Sequence, residues 1–176
     1  DPAHRPGGAV LSIGDHAFDT LCWITGRKID TVLAVTNASS NEPPNERVGH
    51  LILKLEGGAA GFAGASFGAP WSQSPIEIHG TLGSMMLHNT YSYLIGAVGD
   101  GRPALEYRGE GGTAVQHFAE SECFRLEIER FNRCIESGNI ESGDTPMTSG
   151  EEALLNMRVT EAAYASVRSG CMQTVR

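Results

Sequence analysis

From Ile29 to Tyr107 the chain reads as short β-rich runs broken by Gly and Pro, and only in its last third does a 3.6-residue periodicity take over. That segregation constrains the fold more than any single motif. Strands that follow one another through tight turns pair antiparallel, whereas strands alternating with helices build a parallel sheet. The first two runs are Thr31-Val32-Leu33-Ala34-Val35-Thr36 and Val48-Gly49-His50-Leu51-Ile52-Leu53-Lys54-Leu55, joined by a polar, Pro-containing loop at 39–46. After Glu56-Gly57-Gly58 the pattern resumes over 59–67, and two such runs about a Gly-Gly turn predict a hairpin. Residues 75–80 and 83–88 predict a second tight pair. Residues 91–95 and 104–107 read as further strands, and 109–113 as a loop.

Phe124, Ile128, Phe131 and Ile135 recur at helical spacing, which predicts one apolar stripe opposite a solvated side of Glu122, Glu129, Arg130 and Arg133. Capping chemistry at Thr148-Ser149-Gly150-Glu151-Glu152 opens another helix, which stops at Gly170, and 172–175 reads as a short last strand. Near the start, Ser12 with Asp15 three residues on resembles a capping box for a helix that runs to Ile24 and stops at Gly26. The expected fold is α+β: an open-faced, mostly antiparallel sheet with helices packed on one face, residues 1–176 forming a single domain.

The 176 residues allow one sizeable core. A net charge of −8 without any Lys/Arg run argues against nucleic acid and anionic membranes as partners. No apolar stretch approaches the ~20 residues that span a bilayer. The four cysteines, Cys22, Cys123, Cys134 and Cys171, show no metal-ligand spacing, so a reducing, cytoplasmic setting and no structural metal are expected. The opening residues, Asp1-Pro2-Ala3-His4-Arg5-Pro6, do not read as a signal peptide and suggest a mature product or an excised domain.

The chemistry points to Gly7-Gly8 and the helix behind it. His16 lies in the first turn and Asp19 three residues on, a spacing that can set a carboxylate beside an imidazole for acid–base work near neutral pH. The bland reading is a structural histidine. Gly58, Gly61 and Gly64 have the wrong spacing for a phosphate loop and read as hairpin and strand glycines. His79 and His88 read as turn or surface residues. Trp71 could stack on a sugar or cover the core edge.

Gly7-Gly8, Ile13-Gly14, His16, Asp19 and Trp23 match a G-G-x-L-x-D-I-G-x-H-x-x-D-x-x-x-W pattern. Together with Ile76-Glu77-Ile78-His79-Gly80-Thr81-Leu82-Gly83-Ser84 and the blocks from Ser149 to Leu154 and from Ala162 to Gly170, the chain resembles the C-terminal domain of the glucose-fructose oxidoreductase and inositol dehydrogenase (Gfo/Idh/MocA) family. The resemblance implies a missing N-terminal Rossmann domain that binds NAD or NADP, and a sugar, cyclitol or related polyol between the two halves. It implies hydride transfer, with His16 as the proton-transfer residue and Ser12 and Asp19 nearby; Trp71 is the substrate-contact candidate from its own position in a loop. The open sheet face then forms a homo-oligomer interface. This chain alone is expected to hold no cofactor and to be inactive. Ser12 stands where the pattern has Asp and lacks the charge that tunes a base. That departure favours the alternative, a catalytically silent binding or oligomerisation domain of the same fold.

Overall fold

Along Val48–Leu55 burial alternates without a break: Gly49, Leu51, Leu53 and Leu55 are buried, while His50, Ile52 and Lys54 are exposed. One face of this strand therefore meets a core and the other meets water. A computed structural model of the chain describes residues 7–38, 45–69, 74–91, 102–119, 122–136 and 149–176.

In chain order, a π-helical turn (Val10–Gly14) runs into α1 (Asp15–Thr25), followed by β1 (Ile29–Thr36), β2 (Val48–Leu55) and β3 (Ala60–Ser66). Then come β4 (Ile76–Gly80), β5 (Gly83–His88), β6 (Ala104–Gly109), β7 (Gly112–His117) and α2 (Cys123–Glu136). The chain closes with α3 (Gly150–Ser169) and β8 (Gln173–Thr174). It divides into two compact units, Asp1–Ala69 with Gly138–Arg176, and Pro70–Ser137. The expected open-faced antiparallel sheet is present as two four-stranded sheets, one in each unit.

In the first unit the strand order is β3-β2-β1-β8, antiparallel throughout. Register aligns Ala34, Leu51 and Ala63 in one row and Val32, Leu53 and Gly61 in the next. These rows form the core with Val10 and Phe18 from the first helical run and Val159 and Ala163 from α3. Fully burying each such leucine or valine stabilises the fold by ~1.5–3 kcal/mol. The small residues Ala162, Ala163 and Ser166 let α3 lie close on β1, and Ser166 Oγ accepts the Ala34 N–H at 3.0 Å. On the opposite face Val35, Ile52 and Phe62 are each more than half exposed, and the His50 ring stacks on Phe62 at 5.5 Å.

The second unit is the meander β4-β5-β6-β7. Strand β7 corrects the loop expected at 109–113: the chain turns through Glu110 and Gly111 and then re-pairs, with Thr113 opposite Arg108. It escaped sequence reading because all six residues are exposed and show no alternation. Tyr91 lies in a turn rather than a strand, and 92–95 fall outside the described residues. The stripe on α2 is at its expected spacing, but Phe124, Ile128, Phe131 and Ile135 are more than half exposed instead of covered. Periodicity locates an amphipathic helix without saying what meets it.

The helix stops fall where expected, at Gly26 (φ 63°) and Gly170 (φ 67°), both in the left-handed conformation that favours glycine. Ser149 caps α3 in a full capping box: its Oγ accepts from Glu152 N–H and Glu152 accepts from Ser149 N–H. The box expected at Ser12 and Asp15 does not form. The helical run begins earlier, with Ala9 already in helical geometry, so Ser12 lies inside it and its N–H donates to Gly8 O at 3.1 Å. Asp15 Oδ1 instead accepts the His16 N–H at 2.9 Å.

Candidate functional site

The first helical run presents a buried side and an outward side. Val10, Gly14 and Phe18, four residues apart, are buried; Ser12, His16 and Trp23 are exposed. In the π-helical turn at Val10–Gly14 the backbone hydrogen bonds close one residue further along the chain than in an α-helix. Every side chain beyond it is therefore turned relative to an uninterrupted α-helix, and the direction of His16 depends on that turn. Asp19 is half-buried where α1 meets α3, and its Oδ1 accepts from Asn156 Nδ2 at 3.5 Å. Of the residues singled out from sequence, Ser12 and His16 share the outward side, while Asp19 belongs to the seam with α3. Trp71 falls outside the described residues.

Sequence reading missed the group that starts this helix. Glu46 comes from the loop before β2 and is only 2% exposed. Its carbonyl accepts the Ala9 N–H at 2.9 Å, and its Oε1 accepts both the Val10 N–H at 2.9 Å and the Tyr164 hydroxyl at 3.0 Å. A helix N-terminus leaves N–H groups without intrahelical partners and carries partial positive charge, so a carboxylate there is favoured on both counts. Gly8 makes room for it: a Cβ there would overlap the Glu46 carboxyl group, whereas one on Gly7 would meet the Leu11 side chain. Glu46 Oε2 is buried, and among the described residues it has no hydrogen-bond partner.

Burial and the Glu46 carboxylate push the Tyr164 phenol up to about 12, against a smaller opposite pull from the backbone amides of Gly8 and Leu11. Tyr164 is thus a proton donor to Glu46 at any ordinary pH. Burial also pushes the Cys22 thiol up, which disfavours the thiolate that nucleophilic or redox chemistry requires.

In the other unit, Ser84 Oγ lies 3.0 Å from His79 Nδ1, and His79 Nε2 lies 3.0 Å from Glu77 Oε1. The order copies a nucleophile–base–carboxylate relay. With His79 and Glu77 68% and 55% exposed, however, water screens every charge the relay would use. It is a cross-strand polar row. His88 makes a similar contact with Glu106 at 3.2 Å. The glycines at 58, 61 and 64 lie in the β2–β3 turn and in β3, as expected.

Residues 1–86 match the family model described as the GFO/IDH/MocA C-terminal domain. The chain is 26% identical over 164 residues to D-xylose 1-dehydrogenase (NADP(+)) 2 of Haloferax volcanii, covering 93% of this chain and 47% of that protein. It is 27% identical over 176 residues to scyllo-inositol 2-dehydrogenase (NAD(+)) of Bacillus subtilis, covering 93% and 46%. Its fold is similar to the crystal structure of aldose-aldose oxidoreductase from Caulobacter crescentus complexed with glycerol, with a TM-score of 0.77 and 19% identity over 99% of this chain and 51% of that one. The chain spans about half the length of the curated relatives it matches. With the Gly7-Gly8 segment, the outward His16 and the antiparallel sheet in place, residues 1–86 are similar to the GFO/IDH/MocA C-terminal domain, and the chain is similar along most of its length to a sugar dehydrogenase and a cyclitol dehydrogenase.

Proposed function

We propose that this chain is the substrate-binding and assembly domain of an NAD(P)-dependent oxidoreductase acting on a sugar, cyclitol or related polyol. His16 is the residue that exchanges the hydroxyl proton. One observation carries the reading: His16 is exposed on a helix whose other side is locked into the core, within the segment that matches the family model. An imidazole so placed suits proton exchange near neutral pH. Ser12, on the same outward side, offers a hydroxyl to a substrate hydroxyl. Asp19, tied to Asn156, is the next carboxylate along the helix. Trp71 joins this set on sequence grounds alone.

A nicotinamide supplies the hydride chemistry of such reactions. The described residues do not fit it: a pyrophosphate cradle needs free amides at a Gly-rich segment that opens a helix, and behind Gly7-Gly8 the Ala9 and Val10 amides are already taken by Glu46. Gly58, Gly61 and Gly64 lead into β3 instead. Cofactor binding is assigned to the half of the relatives' length that this chain does not span, and the isolated chain is expected neither to hold NAD(P) nor to turn over. The exposed face of the β3-β2-β1-β8 sheet is the surface assigned to a second copy. A cytoplasmic setting agrees with four free thiols, and no helix of the described residues is long and apolar enough to cross a membrane.

The test uses the full-length protein with NAD and NADP and a panel of aldoses and cyclitols that begins with D-xylose and scyllo-inositol. His16→Ala is expected to lower kcat/KM by ~10²–10⁴-fold, the range for loss of a general acid or base. Equal rates in the two proteins remove His16 from the mechanism. Ser12 favours a second reading, a silent binding and assembly domain, because a hydroxyl cannot carry the charge of an aspartate. Sugar binding by calorimetry without turnover of any panel member would select it.

A further inference from the structure

We infer that Glu46 and Tyr164 are positioning residues for the chemistry proposed at His16, fixing the π-helical turn that aims the imidazole; the inference rests on that proposed role. Three contacts converge on Glu46: Ala9 N–H to its carbonyl, and Val10 N–H and the Tyr164 hydroxyl to its Oε1. The two amides belong to the residues that enter the π-helical turn, which begins at Val10. π-Helical turns are rare, because an α-helical register is the lower-energy default, and they are frequent at functional sites. Something outside the helix must hold such a turn, and among the described residues Glu46 makes the contacts that do so.

The choice of group is itself informative. Capping requires only a short polar side chain next to the first turn, as Ser149 provides for α3. Here the cap is a carboxylate 36 residues away, almost fully buried, with Oε2 lacking a hydrogen-bond partner among the described residues. A buried carboxylate is among the more costly groups a fold can contain. Tyr164 then ties the same oxygen to α3, the helix whose Asn156, two turns earlier, holds Asp19. One face of α3 therefore fixes both the entry of the His16 helix and the carboxylate beyond it. A slip of the turn to α-helical register would rotate His16 relative to the two amides that Glu46 holds.

The experiment compares Glu46→Ala, Glu46→Gln, Tyr164→Phe and His16→Ala in the full-length protein, with the rate expressed per folded molecule. Two readouts are taken: kcat and KM on a panel substrate, and the His16 ring resonance after selective ¹³C-histidine labelling, assigned by its loss in His16→Ala. Glu46→Ala is expected to lower kcat ~10–100-fold with KM within about twofold, the size of effect a small misplacement of a catalytic group produces, and to shift the His16 resonance. Glu46→Gln keeps the acceptor for Val10 N–H and Tyr164, so it recovers most of kcat and the original resonance. Tyr164→Phe falls between. If Glu46→Ala melts earlier yet keeps both its kcat and the His16 resonance, Glu46 is a helix cap only and the inference is overturned. If His16→Ala keeps full rate, the role proposed for His16 fails instead. The resonance then decides the positioning claim by itself, a shift in Glu46→Ala supporting it and no shift ending it.

Discussion

The Tyr164 phenol gives the first unit a marked alkaline signature. Its folded-state value, raised to about 12 from 10, means the native state holds the proton more tightly than the unfolded chain. The stability this provides is complete below pH 10 and is lost as pH rises towards 12. Urea midpoints of the unaltered protein should therefore fall more steeply between pH 10 and pH 12 than those of Tyr164→Phe, while titrations common to both cancel. Parallel curves would refute the assignment. Tyr164 and Glu46 were also the residues least legible in the sequence. They are 118 positions apart, Glu46 sits in a polar stretch that reads as solvated loop, and nothing local marks it as buried. Ser12 failed for the complementary reason. Its spacing to Asp15 is that of a capping box, but a carboxylate arriving from another element had already started the helix three residues earlier.

At the scale of elements, local rules worked wherever the deciding contact was local. The capping at Ser149, the β-rich run of β2 and the Gly-Gly hairpin were all readable because each depends on residues within about ten positions. Ser149→Ala removes the hydroxyl that accepts the Glu152 N–H and should lower stability by about 1 kcal/mol, read as a drop in Tm with activity per folded molecule unchanged. An unshifted Tm would mean the box is not holding the helix end. The elements that misled were those without a packed face of their own. Strand β7 has no buried side to impose alternation, and the α2 stripe reports amphipathicity while its four apolar residues stay exposed. A pattern encodes which side is apolar, and only tertiary contacts decide whether that side is covered.

At the scale of the whole molecule, the family resemblance was legible because three blocks kept their order along the entire chain, which no single motif could have shown. The division into two units, each with its own sheet, was not legible, since strands of one sheet and strands of two look alike in sequence. Val35, Ile52 and Phe62 are exposed on the first sheet, on the face proposed above for a second copy. Ile52→Lys in the full-length protein should convert an oligomer to monomer in sedimentation velocity, and an unaltered protein that is already a strict monomer would remove that face as an interface. The edges of this sheet behave differently from its face. β8 pairs with β1 only at Thr31 and Val32, and just past that pairing the Ala34 amide is already taken by the Ser166 hydroxyl under α3. A foreign strand sliding in at that border would find its docking ladder broken after two rungs and a helix in its path. Aggregation by strand addition is thereby blocked at that margin.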